Sequence, residues 1–201
     1  MYYSKIDKFD LNNGDGCRVT IFCSGCRNHC EGCFNRETWN FLFGEEFTDQ
    51  TLDEIIEALK PDYIDGITFL GGEPFEPENQ PTILKIIKRI KEVLPNKTVW
   101  SFTGYTLDYD LINLEEDNYD PKFYGMTRFT KRTRHTDEIL RNLDVLIDGR
   151  FVIKKKDPTL IFRGSSNQRI IDMKATMQEK RVAFVEKYMG TRYETPSCLK
   201  S

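Results

Sequence analysis

Histidine is nearly absent, with two in 201 residues. So thin a supply of imidazole suits chemistry that needs no side-chain general base. Basic charge is not in excess either. At a formal net charge of −3, nucleic acid is not an expected partner, because its binders usually carry a basic surface. No apolar run approaches the roughly 20 residues that span a bilayer. The stretch from Met1 to Lys8 also lacks the apolar core of a secretion signal, so no membrane partner is expected. Literal repeats and low-complexity tracts are missing as well. What is present, 39% apolar residues with 14 Phe and 9 Tyr, is the composition of a chain with a packed core. The length suits one domain, with or without a tail.

Cysteine is sparse but concentrated. Cys26, Cys30 and Cys33 form a C-x3-C-x2-C set within eight residues, so one irregular loop can aim three sulfurs at one place. Crowded thiols in a chain without a secretion signal point to a reducing cytoplasm and a metal. Three thiolates are one fewer than a closed four-sulfur site requires. On an iron–sulfur cube, one iron would then be free to bind a small molecule. A zinc site completed by Cys23 or His29 remains an alternative; a disulfide framework and a loop of unligated thiols fit the crowding less well. Cys23 shares a strand face with Val19 and Ile21 and is expected to point into the core. No cluster role is expected for Cys17 or Cys198.

Around this loop the chain alternates short apolar runs with helical segments. Residues 1–10 suggest an edge strand, and Val19–Cys23 a buried one. Thr51–Glu54 has capping-box spacing ahead of an apolar helix face. Residues 80–94 carry Ile83, Leu84, Ile86, Ile87 and Ile90 at helical spacing. Five apolar runs end just before a glycine: at Ser24-Gly25, Gly71-Gly72, Thr103-Gly104, Asp148-Gly149 and Arg163-Gly164. Alternating βα units imply a parallel sheet whose ligands sit beyond the carboxyl ends of the strands. The expected fold class is therefore α/β, an open partial (βα) barrel with the cysteine loop at its C-terminal strand face. A closed eight-fold barrel typically takes roughly 250 residues. Residues 1–172 are read as the main domain, with 106–136 a surface excursion and 173–201 a terminal helix (175–189) and tail. The basic residues 128–135 and Lys154 to Lys156 are read as solvated faces that can also help dock a partner.

The three-cysteine spacing followed by Phe34 resembles the cluster loop of the radical S-adenosylmethionine (SAM) superfamily. The flanking Gly14-Asp15-Gly16-Cys17-Arg18, Gly32-Cys33-Phe34-Asn35 and Thr38-Trp39 narrow it to the family that activates the anaerobic ribonucleotide reductase. The resemblance implies a [4Fe–4S] cluster on Cys26, Cys30 and Cys33 and SAM on its open iron. Reductive cleavage would yield methionine and a 5′-deoxyadenosyl radical, which takes hydrogen from a glycine of the large reductase subunit. It further implies that Gly71, Gly72 and Glu73 hold the SAM amino group, and that Gly32, Cys33 and Phe34 lie against the adenine. Ser101 or Thr103 would meet the carboxylate or ribose, and Asp148 with Arg150 would resemble an Asp–Lys pair that seats SAM. Arg163, Gly164, Ser165, Asn167 and Gln168 would line the site. An electron donor such as a flavodoxin or ferredoxin is the second expected partner. Another glycyl-radical enzyme or a peptide as target, and a non-enzymatic zinc module, are the alternatives.

Overall fold

The computed structural model describes residues 1–112 and 131–190. Residues 113–130 and 191–201, with the middle of the excursion, Arg128 and Cys198, lie outside the described residues. The elements in order are β1 (Tyr2–Asp10), β2 (Cys17–Cys23), β3 (Glu45–Glu46), α1 (Asp49–Leu59), β4 (Ile64–Gly71), α2 (Gln80–Val93) and β5 (Thr98–Phe102). Then come α3 (Thr136–Asn142), β6 (Val145–Asp148), β7 (Arg169–Asp172) and α4 (Met173–Glu179). The strands form one seven-stranded sheet in the order β3-β1-β2-β4-β5-β6-β7. The inner strands β2, β4, β5 and β6 are parallel, and β1, β3 and β7 pair antiparallel at the margins. Parallel pairing fixes direction, so β2, β4, β5 and β6 all deliver their carboxyl ends to one rim.

The core follows from alternation along the strands. Val99, Leu146 and Ile171 face the helices, in one apolar cluster with Ile55 of α1, Ile86 of α2, Leu140 of α3 and Met173 of α4. Their neighbours Trp100, Val145, Ile147 and Ile170 face the other way and pack with Tyr188. The outward side of α2 carries Lys85, Lys88 and Arg89, paired with Asp49, Glu138 and Glu92. Among the described residues no helix is long and apolar enough to cross a membrane.

At the amino ends of the parallel strands lies a buried cation. Arg18, 1% exposed, donates to Thr68 Oγ1 (2.7 Å), Thr98 Oγ1 (2.9 Å) and the Ile67 carbonyl (2.7 Å). Its guanidinium lies 5.0 Å from the Trp100 ring centroid. Burial lowers its pKa to about 10.

Asp144 fastens the same end. It accepts from the Val99 amide (2.8 Å) and pairs with Lys174 (2.6 Å) and Lys91 (3.5 Å). Burial pulls its pKa upward, but Lys174 and the Val99 amide outweigh burial and hold it below the usual carboxylate range. A depressed folded-state pKa adds stability above the ordinary aspartate pKa and loses it as pH falls through the folded value. Asp144→Asn is therefore expected to cost about 1–3 kcal/mol at neutral pH. Urea unfolding at several pH values should show that deficit begin to shrink below about pH 4 and close only beneath the lower folded-state value.

Sequence expectations need correcting in three places. The capping box is one turn earlier, with Thr48 as N-cap and Thr51 as its reciprocal partner, because a threonine pair serves where the sequence pointed to Thr51 and Glu54. Leu160, Ile161 and Phe162 form no strand; Phe162 takes a positive φ of 51°, which breaks extended backbone. The helix expected over 175–189 stops at Glu179, where Lys180 turns left-handed at φ 53°. The chain then doubles back: Asp172 N donates to Ala183 O and Val185 N to Ile170 O, so Val182 to Val185 cover the margin of the sheet.

Candidate functional site

Beyond the carboxyl ends of β2, β4, β5 and β6 lies a cavity of about 260 Å³. It is lined by Cys26, Cys30 and Cys33 and by Gly71, Gly72 and Glu73. The loop after β2 reaches it through a tight turn. Gly25 has φ +95°, and a Cβ there would strike the Phe41 ring. The Gly25 amide donates to Thr38 O (2.7 Å) and the Cys26 amide to Trp39 O (3.3 Å), so the following 3₁₀ turn backs the first cysteine. Cys33 N donates to Cys30 O at 3.2 Å, which closes the second half of the loop.

Between Cys26 and Cys30 the backbone is strained. His29 sits at φ +44°, which costs a non-glycine residue of order 1–3 kcal/mol and persists only where the surroundings enforce it. Two buried carboxylates hold the two residues just before it, Arg27 and Asn28. Glu73, 1% exposed, receives the Asn28 side-chain amide (3.1 Å), the Gly104 amide (2.7 Å), the Thr103 hydroxyl (2.8 Å) and the Phe75 amide (3.0 Å). Glu76, fully buried, receives the Arg27 amide at 2.8 Å. Burial pushes the Glu73 carboxyl up to about 7 against the pull of its donors. Burial and the Glu73 charge also push the Cys26 thiol up to about 12, so metal binding there must displace a proton.

Glycines set how closely the strand ends approach. A Cβ on Gly72 would come 2.7 Å from Gly25 O and 3.0 Å from both Cys23 O and Thr38 O. Gly72 N meanwhile donates to Cys23 O at 2.7 Å. Only a hydrogen fits, and the contact draws the β4 end against the cysteine loop.

The other residues singled out in the sequence divide into two groups. Gly32, Phe34 and Thr103 reach the cavity wall, as do Gly164 and Gln168 of the late motif. Phe34 stands at the lip, 80% exposed, with the Lys156 ammonium 4.9 Å from its ring centroid. Ser101, Asp148 and Arg150 are not on that wall. Ser101 is buried within β5 and bonds Phe102 O. Asp148 is buried and bonds Arg169 through both oxygens (2.8 and 2.5 Å) and the Leu107 amide, and Arg150 is exposed. The Asp148–Arg150 pair of the sequence reading is thus replaced by Asp148–Arg169, since antiparallel pairing sets Asp148 directly opposite Arg169.

Arg163 also turns away, donating to the carbonyl of Met189 (2.8 Å) and anchoring the segment after Tyr188. Lys131 and Arg132, read as solvated, point inward: Lys131 bonds Glu76 (3.1 Å), and Arg132 is 5% exposed against Asp137. Sequence reasoning missed Asn28, Glu76, Gly104 and Gly149. Gly104 and Gly149 were visible only as strand-end glycines, and nothing marked Glu76 beyond a second acid three residues after Glu73.

The donor set suits a cube better than a single ion. Zinc would take four ligands at roughly 2.0–2.3 Å, whereas the cavity is lined by three cysteines. The proposed fourth zinc ligands are engaged elsewhere. Cys23 is fully buried at the strand end, and the His29 ring stacks on Trp39 with centroids 4.5 Å apart. Glu73 already has its donors. Three thiols line the one cavity, the number of ligands that a cluster held at three corners would use.

Comparison with known proteins agrees with this chemistry. The 4Fe-4S single cluster domain family matches residues 12–171. The anaerobic ribonucleoside-triphosphate reductase-activating protein of Escherichia coli K12 is 38% identical over 170 residues, covering 84% of this chain and 96% of that protein. Its counterpart from Pasteurella multocida is 37% identical over 172 residues, 85% of this chain and 96% of that one. That of Enterobacteria phage T4 is 37% identical over 171 residues, 85% and 93% of the two chains.

Proposed function

This chain belongs to the family of the anaerobic ribonucleoside-triphosphate reductase-activating proteins, and from that premise we propose which residues perform the activation. The protein is a glycyl-radical-generating activase of the radical SAM type, with a 4Fe–4S cluster and SAM as cofactors and the anaerobic ribonucleotide reductase as target. When bound, these cofactors supply the one-electron cleavage that yields methionine and the 5′-deoxyadenosyl radical used to take hydrogen from a glycine. The observation that carries the residue assignment is the single cavity lined by Cys26, Cys30 and Cys33 together with Gly71, Gly72 and Glu73.

On this reading the three cysteines hold the cluster and leave its fourth corner to SAM. Gly71 and Gly72 let the β4 backbone approach the cofactor, and their carbonyls are the acceptors for its ammonium group. Glu73 acts by position: with its oxygens engaged by Asn28, Thr103, Gly104 and Phe75, it ties the cysteine loop to the β5 end and sets the loop's position. Thr103 and Gly32 border the nucleoside, and Phe34 offers it a flat face at the lip. Ser101, Asp148 and Arg150 act through the walls they support. The residues orient the two reacting carbons and exclude water; no side chain need accept a proton.

The open partial barrel is the finer description we favour for the sheet. It is supported by four parallel strands whose helices lie on one face. We keep 1–172 as its body, with 106–136 an excursion and 173–201 an appendage that begins as α4. The five described cysteines are unpaired, in keeping with a reducing cytoplasm. A one-electron protein of the flavodoxin or ferredoxin class is the donor the cluster calls for.

The test is anaerobic incubation of the reconstituted protein with SAM, a reductant and the large reductase subunit. A glycyl-radical doublet on the reductase, with 5′-deoxyadenosine formed alongside, is expected. SAM cleavage with no radical on the reductase, but one on another glycyl-radical enzyme, would move the target elsewhere.

A further inference from the structure

Glu76 lies outside the glycine–glutamate motif and does not line the cavity, yet it is 0% exposed and carries no apolar function. A buried carboxylate is costly unless fully paired, and this one is. Oε1 accepts the Arg27 amide (2.8 Å) and the Tyr105 hydroxyl (2.9 Å); Oε2 accepts Arg27 Nη1 (2.7 Å) and Lys131 Nζ (3.1 Å). The Arg27 amide belongs to the residue directly after Cys26 and opens the strained turn through His29. Tyr105 belongs to the β5 end, and Lys131 precedes α3. One carboxylate thus joins the cysteine loop to two neighbouring elements.

We infer that Glu76 is a positioning residue for the cluster: it holds the Cys26–Cys30 turn in its binding shape before any iron is present. The inference rests on the assignment of the cluster to Cys26, Cys30 and Cys33. Its physical basis is preorganisation. A loop already ordered loses less conformational entropy on binding, whereas the left-handed His29 would relax if the Arg27 amide lost its acceptor. Removing the charge also takes the carboxylate from Lys131 and leaves Arg27 with Glu78 alone; the added net positive charge near the loop raises the potential of whatever cluster forms.

Two measurements on Glu76→Ala test this. In the metal-free protein, hydrogen exchange at the Arg27 amide should be at least tenfold faster than in wild type, with the β2 amides unchanged. After anaerobic reconstitution, iron and sulfide per folded chain should fall at least twofold, and the residual cluster should reduce at a higher potential. If the alanine variant does not fold, Glu76→Met serves, because it keeps the buried volume and offers no acceptor to the Arg27 amide; severalfold faster exchange at Arg27 is then expected. Wild-type exchange and iron content in a folded variant would overturn the inference, as would equal acceleration across β2, which marks a general structural role. Should wild-type protein itself take up no cluster, the cluster assignment fails instead, and the apo-protein exchange result still decides whether Glu76 orders the turn.

Discussion

Replacing Cys30 with alanine is expected to abolish activation of the reductase outright, with SAM cleavage falling to background. Cys30 is the middle thiol of the loop and partly exposed at the cavity; on the proposed assignment its removal would leave the cluster only two protein ligands. No neighbour can substitute. Cys23 is 0% exposed at the strand end, with its thiol pushed well above its ordinary range by burial, and the His29 ring is stacked on Trp39. The control is Cys23→Ala. It should keep wild-type iron and sulfide after reconstitution and lose only about 1 kcal/mol of stability, as small core deletions do. Iron analysis and the reduced electron-spin signal check both variants. A Cys30→Ala protein with a full SAM-responsive cluster would refute the ligand set.

Gly72→Ala should come close to the same loss without touching a ligand. The added methyl meets three backbone oxygens, those of Gly25, Cys23 and Thr38, at 2.7 to 3.0 Å. None is the movable end of a side chain, so β4 or the cysteine loop must shift. Overpacking of this kind costs about 1–3 kcal/mol, which the fold can survive, but the shift falls where β4 meets the cysteine loop, next to Cys26. Misplacement by about 1 Å can cost on the order of a hundredfold in rate. We expect a folded protein whose SAM cleavage is at least tenfold slower, with near-native circular dichroism. Wild-type kinetics would show that the close approach at Gly72 is not needed.

The legible part of the sequence was whatever repeats with a period or depends on spacing. Ile83, Leu84, Ile86, Ile87 and Ile90 announced α2, and strand-end glycines announced the rim that carries the site. The cysteine spacing singled out three thiols, and all three line the same cavity. Features fixed by long-range pairing were not legible. Asp148 was read with Arg150, its near neighbour, but β7 runs antiparallel and brings Arg169 to it. Glu76 lies 49 residues from the Arg27 amide it holds, and no local pattern records such a partnership. The terminal helix failed at Lys180 because the apolar residues Val182 to Val185 carry a return strand-like segment against β7 instead. Helical spacing cannot distinguish these outcomes over so short a run.

Arg18 gives the molecule a fixed pole. Its guanidinium joins β2, β4 and β5 where they start, while the opposite rim is made of glycines and loops. Durability and chemistry are therefore separately adjustable: the loops can diversify to suit a new target without loosening the anchorage that keeps the strands in register. A lineage built this way can change its client while keeping its frame.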